Sequence, residues 1–424
     1  MVDSSLIPYS SEEMARNIIA GLDVGTSAVT TVVAERQKDG GALRILGVGI
    51  AKSQGVRRGM VVDLDDVTDA IRRSAAAASR EAKIPVRSVF LAVGGTNISV
   101  SSSRGVVAVS RADQEIAPED VRRALSAAES FIAKNPNKEV LHMIPRDFKV
   151  DSEAGIKDPI GMHGMRLEAD TLIIECSTSM LKNLLKCVEG AGLAVDDYVF
   201  APIAAAEAVL TKRQKEMGVA LVDMGAGCAS FVIYEEGVPL HAGVLPLGGG
   251  HITGDVAIGF RTHPDVAEQI KVAHGAALVD DLPKRDSVRM SEFIPDDPAV
   301  FSRRELAGII EARLQDLFEL IQKELKKINR VRLLPAGIVL VGGSSLVPGI
   351  VALTRREIGL TAEQGIAQGF GPEMDIGQDP SLAVALGVVR WADNKSHHGD
   401  GGWQSHIILV ARSPILKWLK SLLP

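Results

Sequence analysis

The sequence predicts an α/β protein made of two similar halves. Two observations carry this. The first is a recurrence. NIIAGLDVGTSAVTTVVAE (17–35) and GVALVDMGAGCASFVIYEEG (218–237) each read as apolar run, Asp-X-Gly turn, apolar run. Such runs around a Gly/Ser/Thr turn predict β-hairpins, and a pattern repeated at long range predicts two halves that face each other. The second is composition. The 424 residues are 46% hydrophobic and 24% charged, enough to bury sizeable cores in two to four domains.

Along the chain, ILGVGIA (45–51) is apolar and predicts a third strand beside the first hairpin. Leu64, Val67, Ala70, Ile71, Ala75 and Ala78 recur at helical spacing, so 64–82 is predicted as a helix. SVFLAVGG (88–95) reads as a short buried strand that ends in glycines. From Ser99 the texture changes to SVSSSRGVVAVS, then a helix opened by Pro118 and running to about Ala133, then the strand-like EVLHMIPRDFKVD and DTLIIEC. These define a small inserted α+β domain, 99–178. MLKNLLKCVEGAGL returns to the main body as a helix with a glycine stop, and AEAVLTKRQKE ends another. Residues 302–330 carry Leu306, Ile309, Ile310, Leu314, Leu317, Phe318, Ile321, Leu325 and Ile328 on one side of a long charged helix. AGIVLVGGSSLVPG (336–349) is strand, glycine turn, helix start, and SLAVALGVVRWA (381–392) is a short apolar helix. NKSHHGDGGWQSH reads as linker, and the three tryptophans, Trp391, Trp403 and Trp418, are assigned to the tail.

Several function classes drop out. The balance of 47 basic and 53 acidic residues gives a net charge of −6, which argues against nucleic acid as the main partner. Cys176, Cys187 and Cys228 form no disulfide framework and no CxxC zinc pattern. The polar start MVDSSLIPYSSEEMARN lacks the look of a secretory signal, and no apolar run reaches bilayer length, so a soluble cytoplasmic protein is expected. His397-His398 has no companion ligands, and His142, His163 and His251 read as structural. No Ser-His-Asp or Cys-His set has a recognisable context.

What remains is a phosphate-binding pattern. Phosphates need backbone N–H donors brought close, and glycine after a strand provides them. An Asp at a strand end can hold Mg²⁺ through water. Asp23-Val24-Gly25-Thr26-Ser27 and Asp223-Met224-Gly225-Ala226-Gly227 both have these parts. Leu247-Gly248-Gly249-Gly250 and Gly342-Gly343-Ser344-Ser345 come after later strands, and backbone at the last could lie flat against a purine and ribose. No GxxxxGK[ST] and no GxGxxG before a helix is present, which removes the P-loop and Rossmann readings.

This set resembles the actin, sugar-kinase and heat-shock-protein ATPase superfamily. Its phosphate-one hairpin matches 22–31, its phosphate-two hairpin 221–232, its adenosine motif 339–346 and its connecting helices 201–210 and 381–389. Within it, VLHMIPRDFKVDSEAGIKDPIGMHGMRLEADTLII (140–174) and RTHPDVAEQIKVAHGAAL (261–278) resemble the bacterial cell-division family FtsA. The resemblance implies an actin-like two-lobed ATPase fold with an inserted small α+β domain and a C-terminal amphipathic helix. It divides the chain into a disordered leader (1–16), a first lobe core (17–98 and 179–211), the insert (99–178), a second lobe core (212–262 and 331–392), a second-lobe subdomain (263–330), a linker (393–411) and a membrane-targeting helix (412–424). It further implies bound ATP and Mg²⁺, self-association into filaments, tethering of FtsZ at the cytoplasmic face of the membrane at the division site, and recruitment of later division proteins.

Residue by residue, the resemblance assigns Asp23, Gly25, Thr26, Ser27, Asp223, Gly225, Ala226, Gly227, Gly248, Gly249, Gly342, Gly343 and Ser344 to the nucleotide, with Asp23 and Asp223 on Mg²⁺ through water. Glu268 and Lys271 in AEQIK would meet the ribose or base. Cys228 stands where a Thr is common, which removes a hydroxyl. Glu207 lies near where related ATPases place a water-orienting side chain, so it is the candidate for assisting hydrolysis, with turnover expected to be slow or absent. EARLQDL (311–317) matches the segment that meets the FtsZ C-terminal peptide, with Arg313 and Asp316 at contacting positions.

The tail can be read from the residues themselves. Ser413 can cap a helix and Pro414 suits its first position. Ile415, Leu416, Trp418, Leu419, Leu422 and Leu423 then form one apolar face flanked by Arg412, Lys417 and Lys420. Such a helix is roughly 14 Å long, too short to span a bilayer and suited to its interface. The apolar groups contribute about 6–10 kcal/mol before ordering costs, and each cation about 1 kcal/mol at an anionic lipid surface. Many tails on one filament would add avidity. Two competing classes are a small-molecule kinase of the same fold and an actin-like scaffold of a pilus or secretion machine. The first needs a catalytic carboxylate in the cleft, and the second would not combine the insert with this tail.

Overall fold

The computed structural model describes residues 17–37, 41–130, 135–371 and 375–397. The leader and the tail 412–424 lie outside the described residues.

Both predicted hairpins form. Ile18–Val24 pairs antiparallel with Ala28–Glu35, and Val219–Met224 with Ala229–Glu235. Each hairpin is the seed of a five-stranded sheet, and the two sheets have the same plan. In the first, Arg44–Lys52 extends the hairpin antiparallel on one side, while Ser88–Val93 and then Ala194–Phe200 add in parallel on the other. In the second, Val238–Leu245 extends the hairpin, while Ile338–Val341 and Ala362–Gln364 add in parallel. The β-branched interiors of these strands are buried on both faces, as central strands of layered sheets require.

Two helices lock the sheets together by crossing over. Ala201–Val209 leaves the first sheet and packs on strands of the second hairpin. Ala383–His397 leaves the second sheet and packs on the first hairpin and on Ser88–Val93. One hydrophobic core therefore runs from Leu22 and Val32 through Ala204, Ala205 and Leu386 to Leu221 and Val232. A second core lies on the far face of the second sheet, under the helix Arg303–Lys327.

The insert forms its own sheet, in the order Ser99–Ala108, Arg166–Ser177, Lys138–Val150, Glu153–Ile156, with the helix Pro118–Ser130 on one face and its own small core. Helix Leu64–Ala82 is as predicted and is capped by Asp63, whose side chain accepts from the N–H groups of Asp65 and Asp66.

Three expectations need correction. The sequence places the start of the linker at 393, but the helix continues to His397. Its polar end is held by long-range partners: Asp393 with Arg36 at 3.0 Å, Asn394 with Glu207 at 3.0 Å, and Lys395 with Asp197. Trp391 belongs to the core rather than the tail, edge-on to Phe90 with ring centroids 6.3 Å apart. Helix Gly249–Gly259 packs on Pro264–His274 and Arg303–Lys327, so the second-lobe subdomain starts near 248 rather than 263.

Candidate nucleotide site

Parallel pairing sets the site. Leu22 lies beside Leu91, and Val93 beside Phe200, so Asp23, Gly94 and the start of helix Ala201–Val209 share one edge of the first sheet. In the second sheet Asp223 lies beside Val341, which places Gly342 at the matching edge. Carboxyl ends of strands are where open α/β sheets present ligand sites.

The two aspartates face each other. Both are part-buried, yet both are shifted far upward. Burial, followed by the charge of Asp223, raises Asp23 to about 7. Burial raises Asp223 to about 6, against a partly opposing hydrogen bond from the Ser230 hydroxyl at 3.4 Å. Among the described residues no neighbouring cation offsets either group. A pair of half-desolvated carboxyls with no counter-charge could hold a cation. Among the described residues no three His, Cys, Asp or Glu side chains gather to wrap a metal. That suits Mg²⁺, which keeps its waters and takes only one or two carboxylates plus phosphate oxygens.

The glycine turns frame this dyad. Gly342 has φ +82°, and a Cβ there would strike the Asp223 carboxylate and lie 2.8 Å from the Met224 nitrogen. Its N–H donates to the Pro380 carbonyl at 2.8 Å. Beside it, a Cβ at Gly343 would meet nothing within 4 Å, leaving an open flat backbone surface. The Gly249 and Gly250 N–H groups donate to the Gly225 and Ala226 carbonyls at 2.9 and 2.8 Å, which fixes the Gly248 turn against the second hairpin. Across the cleft, Gly227 abuts Thr26, and a Cβ on it would come 2.9 Å from the Arg58 Cα. The Thr26 hydroxyl accepts the Gly59 N–H at 3.2 Å, while Ser27 is exposed at the turn.

Lys271 also converges here. Its ammonium donates to the Gly249 carbonyl at 3.2 Å, to the Thr253 hydroxyl at 2.9 Å and to Glu268 at 2.6 Å. Ser344 lies against Gly249. Glu268, Lys271, Gly249 and Ser344 thus border one wall of the cleft. The Cys228 thiol, raised to about 12 by burial and by Asp223 and Asp23, stays neutral.

Glu207 is a correction. It lies six residues into the helix that starts at the cleft edge, and its carboxylate pairs with Lys215 at 2.7 Å and Asn394. Its charge acts on Tyr234, which pairs with Val219 at the opposite end of the strand from Asp223. It is a structural ion pair and does not reach the dyad. The residues that open the same helix, Ala201, Pro202 and Ile203, carry no polar side chain.

Arg313 is engaged. It makes a bidentate pair with Asp255 at 2.6 and 3.0 Å and reaches Asp316 at 3.1 Å. With Met224, Leu247, Ile252 and Ser344 it lines a small recess beneath the glycine turns. Arg412, Ile415, Leu416, Lys417, Trp418, Leu419, Lys420, Leu422 and Leu423 lie outside the described residues. Sequence reasoning missed Ser230, Thr253 and Arg58. Only the Arg-Gly pair at 58–59, a turn signal after a strand, was visible.

The fold and the facing hairpins define an actin-like protein. The solved PilM–PilN type IV pilus biogenesis complex matches at TM-score 0.61 with 18% identity, covering 88% of this chain and 98% of that one. The MreB5 structure of Spiroplasma citri bound to ADP matches at TM-score 0.53 with 13% identity, covering 91% and 99%. Sequence goes further. The model of the SHS2 domain inserted in FtsA matches residues 95–175, and that of cell division protein FtsA matches 220–387. Cell division protein FtsA of Pseudomonas aeruginosa is 34% identical over 406 residues, covering 95% of this chain and 96% of the relative. The chain belongs to the FtsA family of cell-division proteins. Among the described residues no helix is long and apolar enough to cross a membrane.

Proposed function

We propose that this protein binds Mg·ATP between its lobes, assembles into filaments, and tethers FtsZ to the cytoplasmic face of the membrane at the division site. The observation that carries the first part is the Asp23–Asp223 dyad, raised by burial and unbalanced by any cation among the described residues. Bound there, Mg·ATP would supply the missing positive charge through its metal. Asp23 and Asp223 hold the metal's water shell, the hairpin turns 25–27 and 225–227 bring backbone close to the phosphates, and Glu268 and Lys271 border the ribose and base. Turnover is slow, because the helix that opens at the cleft edge offers only Ala201, Pro202 and Ile203, and Glu207 lies elsewhere.

Membrane attachment rests on the apolar face Ile415, Leu416, Trp418, Leu419, Leu422 and Leu423 with its flanking cations, a sequence feature. FtsZ tethering and recruitment of later division proteins rest on family membership. A peptide that uses Arg313 has to displace Asp255 from it.

Sedimentation with vesicles containing anionic lipid tests the whole. The full chain should pellet with vesicles more strongly when Mg·ATP is present, and should carry an FtsZ C-terminal peptide with it. Equal pelleting of a chain that lacks 413–424 would remove the membrane part, and no heat of binding with millimolar Mg·ATP would remove the nucleotide part.

A further inference from the structure

We propose that Arg58 is a clamp for the terminal phosphates, so that the site distinguishes a triphosphate from a diphosphate. The inference rests on the nucleotide reading above and deepens it.

Val56–Arg57 and Met60–Val61 form a tight hairpin directly after the strand Arg44–Lys52, with Arg58 and Gly59 as its two-residue turn. The turn lies between the two phosphate hairpins. Gly59 donates to Thr26 of the first, and the Arg58 Cα and N would lie 2.9 and 3.0 Å from a Cβ on Gly227 of the second. The Arg58 carbonyl accepts the Thr96 N–H at 3.2 Å, which ties the turn to the glycine edge at Gly94-Gly95.

Arg58 has φ +51° and Gly59 φ +73°. Two-residue turns of this kind favour Asn, Asp or Gly at the first position. A long side chain is uncommon at that position of such a turn, although Lys83, Gln114, Glu236, Arg261 and Arg332 share the positive φ elsewhere in the chain. Strain alone does not select arginine, but charge does. Among the described residues the Arg58 guanidinium has no ion-pair or hydrogen-bond partner, and it is exposed. Neither hairpin turn, 23–28 or 223–228, contains a Lys or Arg. Lys271 is already held by Glu268 and Thr253. A Mg-bound triphosphate keeps net negative charge after the metal is counted, and two aspartates add to it. A fork of guanidinium donors on the phosphate oxygens balances that excess.

The test uses the full chain and calorimetric titration with Mg·ATP and Mg·ADP. Arg58→Met keeps the Cβ and the stem and removes the charge. It should weaken Mg·ATP by about tenfold or more and Mg·ADP by less than about threefold. Arg58→Lys should recover part of the loss, and Arg57→Met, one residue away with the same charge, should change neither nucleotide by more than about twofold. Equal losses for both nucleotides, no loss for either, or the same loss in Arg57→Met would overturn the clamp. If Arg58→Met melts below wild type, Arg58→Gln carries the same comparison. Wild type that binds neither nucleotide would overturn the nucleotide reading itself, an outcome distinct from a selective failure at Arg58.

Discussion

The two lobes repeat one unit of chain: a three-stranded meander, a helix or helical insert, a parallel strand, a second helix, a second parallel strand and a crossing helix. They differ in where the extra chain enters and in which residues come after the third strand. The first lobe admits its insert after Ser88–Val93, and the second admits its helical subdomain after Val238–Leu245. After the third strand the first lobe places a strained cationic turn, Arg58-Gly59, whereas the second places Gly248-Gly249-Gly250. A repeated frame thus offers side-chain charge from one side and bare backbone from the other. The repeat gives each lobe an aspartate at a hairpin turn, and the lobes diverge at the exit from the third strand.

The dyad is where the likeness of the lobes is most exposed to failure. If Asp23 and Asp223 are equivalent, Asp23→Asn and Asp223→Asn should each weaken Mg·ATP by about a hundredfold, read by calorimetry. Losses that differ by more than about tenfold would show that one lobe holds the metal alone.

The next effect is pH. Both carboxyls sit above their ordinary 3.8, at about 7 and about 6. Protonated, they cannot hold a hydrated cation, so Mg·ATP affinity should rise by well over about tenfold from pH 5.5 to 7.5 and approach a plateau above that. The unliganded fold has the opposite sign. A raised acid binds its proton more tightly when folded, so its contribution is full below about pH 4 and is lost as pH rises to about 7. Melting curves of wild type against Asp23→Asn, without nucleotide, should diverge over that window in favour of the variant. Parallel curves would mean that the two carboxyls are not coupled to folding.

Much of this frame is legible in the sequence. The hairpins, the insert, helix Leu64–Ala82 and the long helix announce themselves because their apolar periodicity is local. The misses share one cause, which is that their partners are distant in sequence. The strand Ala194–Phe200 escapes a reading of the sequence, since Asp196 and Asp197 interrupt its apolar pattern, and the buried Asp197 is satisfied by the Tyr198 N–H and by the distant Lys395. The sequence DNKSH looks like linker until Arg36, Glu207 and Asp197 are brought beneath it. In the cleft, aspartates and glycines can be named from their turns, but the upward shift of both carboxyls depends on desolvation that only the assembled lobes create. Glu207 is misplaced because a spacing along a helix does not reveal which end faces the phosphates.

Two smaller effects separate the lobes further. Cys228→Thr would restore a hydroxyl beside the second hairpin turn and should tighten Mg·ATP by about two- to fivefold without changing the melting temperature by more than about a degree or two. A loss of affinity would mean that the neutral thiol fills space a hydroxyl cannot. Glu207→Gln should leave nucleotide affinity and any turnover unchanged and cost about 1–2 kcal/mol of stability through the half-buried Lys215, seen as a melting shift of a few degrees. A selective drop in hydrolysis would return Glu207 to the chemistry.

The crossing helix Ala383–His397 joins two places that matter. Just ahead of its first residue, the Pro380 carbonyl accepts the Gly342 N–H, and its final turn is riveted to the first lobe by Asp393, Asn394 and Lys395. Between them runs a rod of roughly 22 Å with no proline to bend it. The helix therefore joins the Gly342 turn of the second lobe to Arg36, Asp197 and Glu207 of the first through one continuous element.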